Sequence, residues 1–243
     1  MRKMIVNGHR GFPAKYPENT LISFEKAIEL GVDAIEYDLH LTRDGKLVVT
    51  HDDEISRCSN GHGVVEEMTF DELRKLDFGS WKSPEFAGEK IPLFTEVLDL
   101  VARKKPGLFQ LVEVKRPDVE CAKLAMAELK RRNLMDQFCL VCFHWNVLTE
   151  MKKLYPELLQ HGDPNESMLW KPEFFKGMFR VGIHYGQMSK ELTDWFHSQN
   201  VLVDAWTIDT EELLDKMIEM GADSVTSNDS EQILRLLEAR GMR

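Results

Sequence analysis

His9 and His51 each lie just beyond a short apolar run, and they are the side chains best suited to moving protons, because an imidazole titrates near neutral pH. Set on either side of a bound phosphate, one would take a proton from an attacking oxygen and the other would give one to a leaving oxygen. Glu36 and Asp38 are two residues apart in Ala34-Ile-Glu-Tyr-Asp-Leu39, as are Glu113 and Lys115 in Phe109-Gln-Leu-Val-Glu-Val-Lys115. On strands, each pair shares a face. Three convergent carboxylates without a thiolate make a hard, all-oxygen set, which suits one divalent ion of the Mg²⁺, Ca²⁺ or Mn²⁺ type better than Zn²⁺. A second reading fits the same residues, with Arg10 and Lys115 neutralising the carboxylates as a buried ion network. Arg10 offers a planar fork for phosphate oxygens and Lys115 a point charge, while Glu18 and Glu113 offer each an ion-pair partner instead. His62, His144, His161 and His197 are read as structural or merely exposed.

These residues need a scaffold that brings distant strand ends together. Short apolar runs alternate with helix-period segments from end to end, the signature of parallel β/α architecture. Strands are predicted near 4–8, 34–39, 109–115, 138–143, 157–161, 179–183, 201–206 and 223–226, which is the number in a TIM (β/α)8 barrel. Active sites of that fold lie at the C-terminal strand ends, where His9, Arg10, Glu36, Asp38, Glu113 and Lys115 fall. Asn19 is placed to cap a helix over about 20–30 that Gly31 stops, and Thr210 one that ends before Gly221. Asp44-Gly45 predicts a two-residue type I′ hairpin that sets Thr42 opposite Leu47, His40 opposite Val49 and Asp38 opposite His51, so that His51 reaches the mouth. The segment 52–93 is long for a barrel loop and holds a capping box at Thr69 and Glu72, so it reads as an insertion over the mouth of a single domain spanning 1–243.

The composition admits this and excludes other classes. At 243 residues, 43% hydrophobic and 30% charged, the chain is long enough for one barrel and is not biased towards disorder. A formal charge of −10 argues against nucleic acid, which needs clustered cations. The N-terminal apolar run stops at Asn7, short of a signal sequence, and no stretch approaches a transmembrane segment. Cys58, Cys121, Cys139 and Cys142 form no disulfide framework, which suits a reducing cytoplasm, and the Cys139-x-x-Cys142 pair sits in an apolar run as core thiols.

The ordered set His9-Arg10-Gly11, Pro17-Glu18-Asn19-Thr20, Glu36-x-Asp38, Thr42-x-Asp44-Gly45, His51-Asp52, Glu113-x-Lys115, Trp206-Thr207 and Gly221-x-Asp223 resembles the glycerophosphodiester phosphodiesterase family over nearly the whole chain. The resemblance implies a divalent ion on Glu36, Asp38 and Glu113, an acid/base pair in His9 and His51, and phosphate contacts from Arg10 and Lys115. It also implies attack on phosphorus by a hydroxyl of the substrate's own glycerol, which proximity favours, followed by opening of the cyclic phosphate by water. The products would be sn-glycerol 3-phosphate and an alcohol such as choline or ethanolamine, from a small-molecule glycerophosphodiester. Trp206 would wall the pocket or pack on a choline-like cation, unless it is a core residue. His40, His184 and Tyr185 are further headgroup candidates. Cys142-Phe143 stands where the family commonly has Ser-Phe, and Ser227-Asn228-Asp229-Ser230 replaces a segment that normally ends in proline. The same chemistry on lysophospholipids would need an apolar groove, between 52–93 and Phe174-Phe175, and a non-catalytic binding barrel would show affinity without turnover.

Overall fold

The computed structural model describes residues 3–163 and 172–243, so the first two residues of the N-terminal run lie outside it. Eight parallel strands close on themselves in the order β1 (Ile5–Gly8), β9 (Ser224–Ser227), β8 (Leu202–Trp206), β7 (Arg180–His184), β6 (Leu159–Gly162), β5 (Phe138–Cys142), β4 (Phe109–Val114) and β2 (Ala34–Leu41), and a β1–β2 pairing completes the ring. The fold is a TIM barrel with helices between its strands. The eight predicted strands correspond to these eight within about two residues at each end.

Side-chain alternation divides each strand between two environments. On β2, Ile35, Tyr37 and Leu39 belong to the main apolar core, while Glu36 and Asp38 point the other way, into the barrel. Tyr37 anchors a chain of aromatic contacts, 5.5 Å from Phe24 on α1 (Leu21–Leu30) and 6.2 Å from Phe94. Its hydroxyl donates to Gln110 Oε1 at 2.9 Å, so this buried phenol is satisfied. Each such large apolar side chain contributes about 1.5–3 kcal/mol by leaving water. The outer helices α3 (Phe94–Lys104), α4 (Val119–Arg131), α5 (Trp145–Leu154), α6 (Lys190–Ser198), α7 (Glu211–Met220) and α8 (Ser230–Ala239) bury residues at helical spacing, such as Phe94, Val97, Leu98 and Val101 on α3.

Two local readings are corrected. Thr20, not Asn19, caps α1, its hydroxyl accepting from Ser23 N; Asn19 has φ 56° and sends its amide to Asp38 Oδ2 at 2.7 Å. The hairpin of β2 with β3 (Leu47–Val49) is shifted by one residue, with Leu39 opposite Val49, His40 opposite Val48 and Leu41 opposite Leu47. Thr42 N donates to Lys46 O and Thr42 Oγ1 accepts from Lys46 N, so three residues, Arg43-Asp44-Gly45, make the turn, with Gly45 at φ 74°. A left-handed glycine ending a three-residue loop meets the same Asp-Gly signal as the two-residue turn. Asp44 is used differently as well, since its carboxylate accepts from Phe70 N at the start of α2 (Phe70–Lys75). Between β3 and α3 the chain wraps a separate small core of Val48, Ile55, Val65, Leu73, Phe78 and Ile91, with the Thr69–Glu72 capping box at the head of α2.

Candidate active site

The turn after β1 sets the first residues in place. Gly8 lies close under Gly11, where a β-carbon would come within 2.6 Å of Gly11 O, and Gly11 at φ 91° would push one to 2.7 Å of Ser23 C. Arg10 is itself left-handed at φ 51°, which aims its N–H at Glu36 Oε2, 3.0 Å away. Ser23 Oγ donates to Arg10 O and accepts from Phe12 N, so α1 fixes this turn from below.

Glu36, Asp38 and Glu113 place carboxylate oxygens within 4.8 Å of one another, and the residues are only 6%, 1% and 8% exposed. The cations divide unevenly among them. Lys115 Nζ lies 2.6 Å from Glu113 Oε1 and 3.7 Å from Asp38 Oδ1; Arg10 Nε lies 3.5 Å from Asp38 Oδ2 while its Nη1 holds Glu18 at 2.8 Å. Burial would raise the Asp38 carboxyl, but Lys115, Arg10 and His51 outweigh it and hold it at about 2. Glu113 is pushed up to about 7, by burial first and then by Asp38. Glu36 has no ion-pair partner among the described residues, and burial with the charges of Asp38 and Glu113 drives it well above the usual carboxylate range. The ion-network reading therefore pairs two carboxylates and leaves the third with only the Arg10 backbone N–H and the more distant Arg10 charge.

Each histidine is held through Nδ1. His9 Nδ1 lies 2.6 Å from Asn228 Oδ1, and Asn228 Nδ2 donates to Asp209 Oδ2 at 2.7 Å. Because Asp209 orients the amide, Asn228 presents its carbonyl oxygen, His9 Nδ1 carries the proton and Nε2 keeps its lone pair. Burial lowers His9 to about 4, so the ring is neutral at pH 7. His51 Nδ1 lies 2.6 Å from the Asp52 carboxylate, which also pairs with Arg57 Nε. Arg57 in turn grips both oxygens of Glu18, at 3.0 and 2.8 Å. The register shift would send His51 to the far face of a continued ribbon. However, β3 ends at Val49, and His40 Nε2–H donates to His51 O at 3.1 Å in the bend that follows. His40 thus supports the His51 backbone instead of meeting a headgroup.

A cavity of about 150 Å³ opens at this mouth, and His9, Arg10, Glu36, His51, Glu113 and Lys115 line it. Trp206 forms part of its wall, edge-on to Phe143 at 6.0 Å and to His184 at 5.2 Å, and His184 also meets Tyr185 at 4.3 Å. His161, read from the sequence as structural or exposed, lines the same cavity from β6, together with Asp163 and Asp204. The inward direction of His161 depends on barrel closure, which local pattern does not carry. Asn228 and Asp209 also escaped sequence reasoning, although both follow strand ends, β9 and β8, where such groups gather. His197 pairs with Asp223 at 2.9 Å, in keeping with a structural role, and all four cysteines are buried and free. Burial pushes Cys139 and Cys142 up to about 12, as core thiols require.

The closed barrel and the charged cavity at its C-terminal mouth place the chain among the (β/α)8-barrel enzymes. The profile of the glycerophosphoryl diester phosphodiesterase family matches residues 9–232. A glycerophosphodiester phosphodiesterase of Caldanaerobacter subterraneus subsp. tengcongensis is 34% identical over 247 residues, covering 98% of this chain and 100% of that protein. Another, of Bacillus altitudinis, is 28% identical over 241 residues, covering 95% and 96%. Among solved structures, an Oleispira antarctica phosphodiesterase in complex with the product sn-glycerol-3-phosphate superposes with a TM-score of 0.88 at 27% identity, over 96% of both chains. The chain belongs to the glycerophosphoryl diester phosphodiesterase family and is a phosphoric diester hydrolase.

Proposed function

We propose that the chain hydrolyses small glycerophosphodiesters, such as glycerophosphocholine or glycerophosphoethanolamine, to sn-glycerol 3-phosphate and an alcohol. The observation that carries the reading is Glu36, a buried carboxylate beside two others with no ion-pair partner among the described residues. Three buried oxygen donors within 4.8 Å fit one divalent ion, Mg²⁺, Ca²⁺ or Mn²⁺, held by Glu36, Asp38 and Glu113. Such an ion supplies Lewis-acid polarisation of a phosphoryl oxygen and a lowered pKa for a nearby hydroxyl.

Arg10 and Lys115 would meet the phosphate oxygens, the first with a fork of N–H groups and the second with a point charge. His9, neutral and with Nε2 unprotonated, is the group to take the proton from the substrate's attacking glycerol hydroxyl. His51 is the group to protonate the departing alcohol: burial lowers its pKa, but its Nδ1 partner is a carboxylate that opposes this and favours the imidazolium, whereas the partner of His9 is a neutral amide. The two would exchange roles when water opens the cyclic phosphate. Residues 1–243 act in this reading as one barrel domain with 52–93 as an insertion over the mouth, and four reduced, buried thiols suit a cytoplasmic site of action. No helix among the described residues is long and apolar enough to cross a membrane.

The test is release of sn-glycerol 3-phosphate from glycerophosphocholine and glycerophosphoethanolamine with and without EDTA. Metal-dependent release from either supports the reading, and none from both rejects it. The small-diester reading is preferred over the lysophospholipid one because Phe175 is fully buried and Phe174 lines a separate cleft with Trp145 and Lys152.

A further inference from the structure

β6 and β8 stand across the ring from β1 and β4, and their side chains build a second polar wall facing the acidic cluster. A barrel of this kind ordinarily fills that depth with branched apolar side chains. Here His161 is 3% exposed, and neither ring nitrogen has a hydrogen-bond partner among the described residues. Asp163 Oδ2 is 3.6 Å from His161 Nε2, too far for a hydrogen bond. Asp204 accepts instead from Asn7 Nδ2, Ser224 Oγ and Thr226 Oγ1, with no bond to His161. The Trp206 indole N–H is buried and approaches Asp163 without closing a bond of good geometry. Gly182 on β7 makes the room, since a β-carbon there would collide with both His161 Nε2 and Asp163 Oδ1. Buried polar groups left open in this way are costly, and several lining one cavity point to a ligand that completes them.

The mixture of roles identifies that ligand. Trp206 only donates, a neutral imidazole offers one donor and one acceptor, and Asp163, whose pKa burial drives well above the usual carboxylate range, accepts and when protonated also donates. A hydroxyl group both donates and accepts. A quaternary ammonium does neither, and a primary ammonium would leave the indole N–H unmet. In an in-line displacement the attacking and leaving oxygens lie on opposite sides of phosphorus. With the glycerol half held by His9 and the carboxylates, the carbon chain of the alcohol beyond its bridging oxygen is the part of the diester left to meet β6 and β8.

We propose that His161, Asp163 and the Trp206 N–H form a hydroxyl-reading subsite for the alcohol half of the diester, so that the enzyme favours diesters of polyhydroxy alcohols over those of quaternary amines. The inference rests on the reaction proposed above and deepens it by naming a substrate class.

Its test compares kcat/KM for glycerophosphoglycerol and glycerophosphocholine in the wild type, His161→Leu and His161→Gln. The wild type should prefer the glycerol diester, and His161→Leu should lower that preference about tenfold, the scale for losing one hydrogen bond to a substrate hydroxyl. His161→Leu should hold or raise the ligand-free Tm, because it removes two orphaned polar atoms; His161→Gln guards against an unfolded leucine variant. A second readout needs no turnover: the indole N–H resonance of Trp206, assigned by its loss in Trp206→Phe, should shift when glycerol or myo-inositol is added to metal-free protein and stay in place with choline. Equal losses on both diesters, a wild-type preference for the choline diester, or an indole resonance unmoved by either polyol would overturn the subsite. A polyol-dependent shift in a protein that cleaves neither diester would instead overturn the reaction and keep the subsite.

Discussion

Asp209 touches no position that a substrate would occupy, yet Asp209→Asn should slow the enzyme. Its carboxylate accepts from Asn228 N and Asn228 Nδ2, both at 2.7 Å, and from Ser227 Oγ at 2.9 Å. These bonds make Asn228 present its carbonyl oxygen to His9 Nδ1, 2.6 Å away. With an amide at 209, Asn228 can turn and offer N–H to His9 instead, which selects the tautomer protonated on Nε2. A hydrogen bond to a charged group is worth about 1.5–3 kcal/mol, and that is the bias the substitution removes. At 1.36 kcal/mol per decade, turnover should fall by roughly ten- to a hundred-fold if His9 acts as base. Initial rates on glycerophosphocholine at saturating metal measure the loss, and ¹⁵N chemical shifts of the His9 ring report the tautomer independently. Wild-type turnover with an altered tautomer would refute the assignment of His9 as base. An unchanged tautomer would refute the role given to Asp209.

His9→Ala and His51→Ala should each cost about 10²- to 10⁴-fold in turnover while thermal unfolding stays cooperative, and near-normal rates in either variant would reassign that residue. Glu113→Gln should weaken Mn²⁺ binding measured by calorimetry, with activity restored at raised metal concentration. The same variant has a definite pH signature in metal-free protein. Because the folded-state pKa of Glu113 is raised to about 7, the folded form holds more protons than the unfolded chain between about 4.5 and 7, so this group destabilises increasingly as pH rises through that window. Glu113→Gln should therefore raise Tm at pH 8 and leave it nearly unchanged at pH 4. Gly11→Ala should lower Tm and activity together, since its φ of 91° and the 2.7 Å approach to Ser23 C force the turn carrying Arg10 to move; unchanged values for both would show the turn to be more tolerant than its geometry implies.

The barrel was legible from the alternation of apolar runs with helix-period segments, and the acidic cluster from period-two alternation, which fixes the face of Glu36, Asp38 and Glu113 without knowledge of the partner strands. The hairpin register was not, because Asp44-Gly45 serves two turn lengths equally well and the choice rests on Thr42 binding Lys46 and on Asp44 binding Phe70 in a distant helix. Asn19 misled for a related reason: it has the chemistry of a cap, and Thr20 beside it has the backbone of one. The departure at Ser227-Asn228 proved to carry the His9 partner. His161 was invisible in another sense, for nothing near it in the chain says that the opposite side of the ring would be polar.

Arg57 bonds Asp52, the partner of His51, and Glu18, the partner of Arg10. One guanidinium from the segment after β3 is thus a shared hinge pin for His51 and Arg10, which follow different strands. A shift of the segment carrying Arg57 cannot disturb one without being felt by the other, so swapping this segment between relatives would transplant the alignment of both side chains with it.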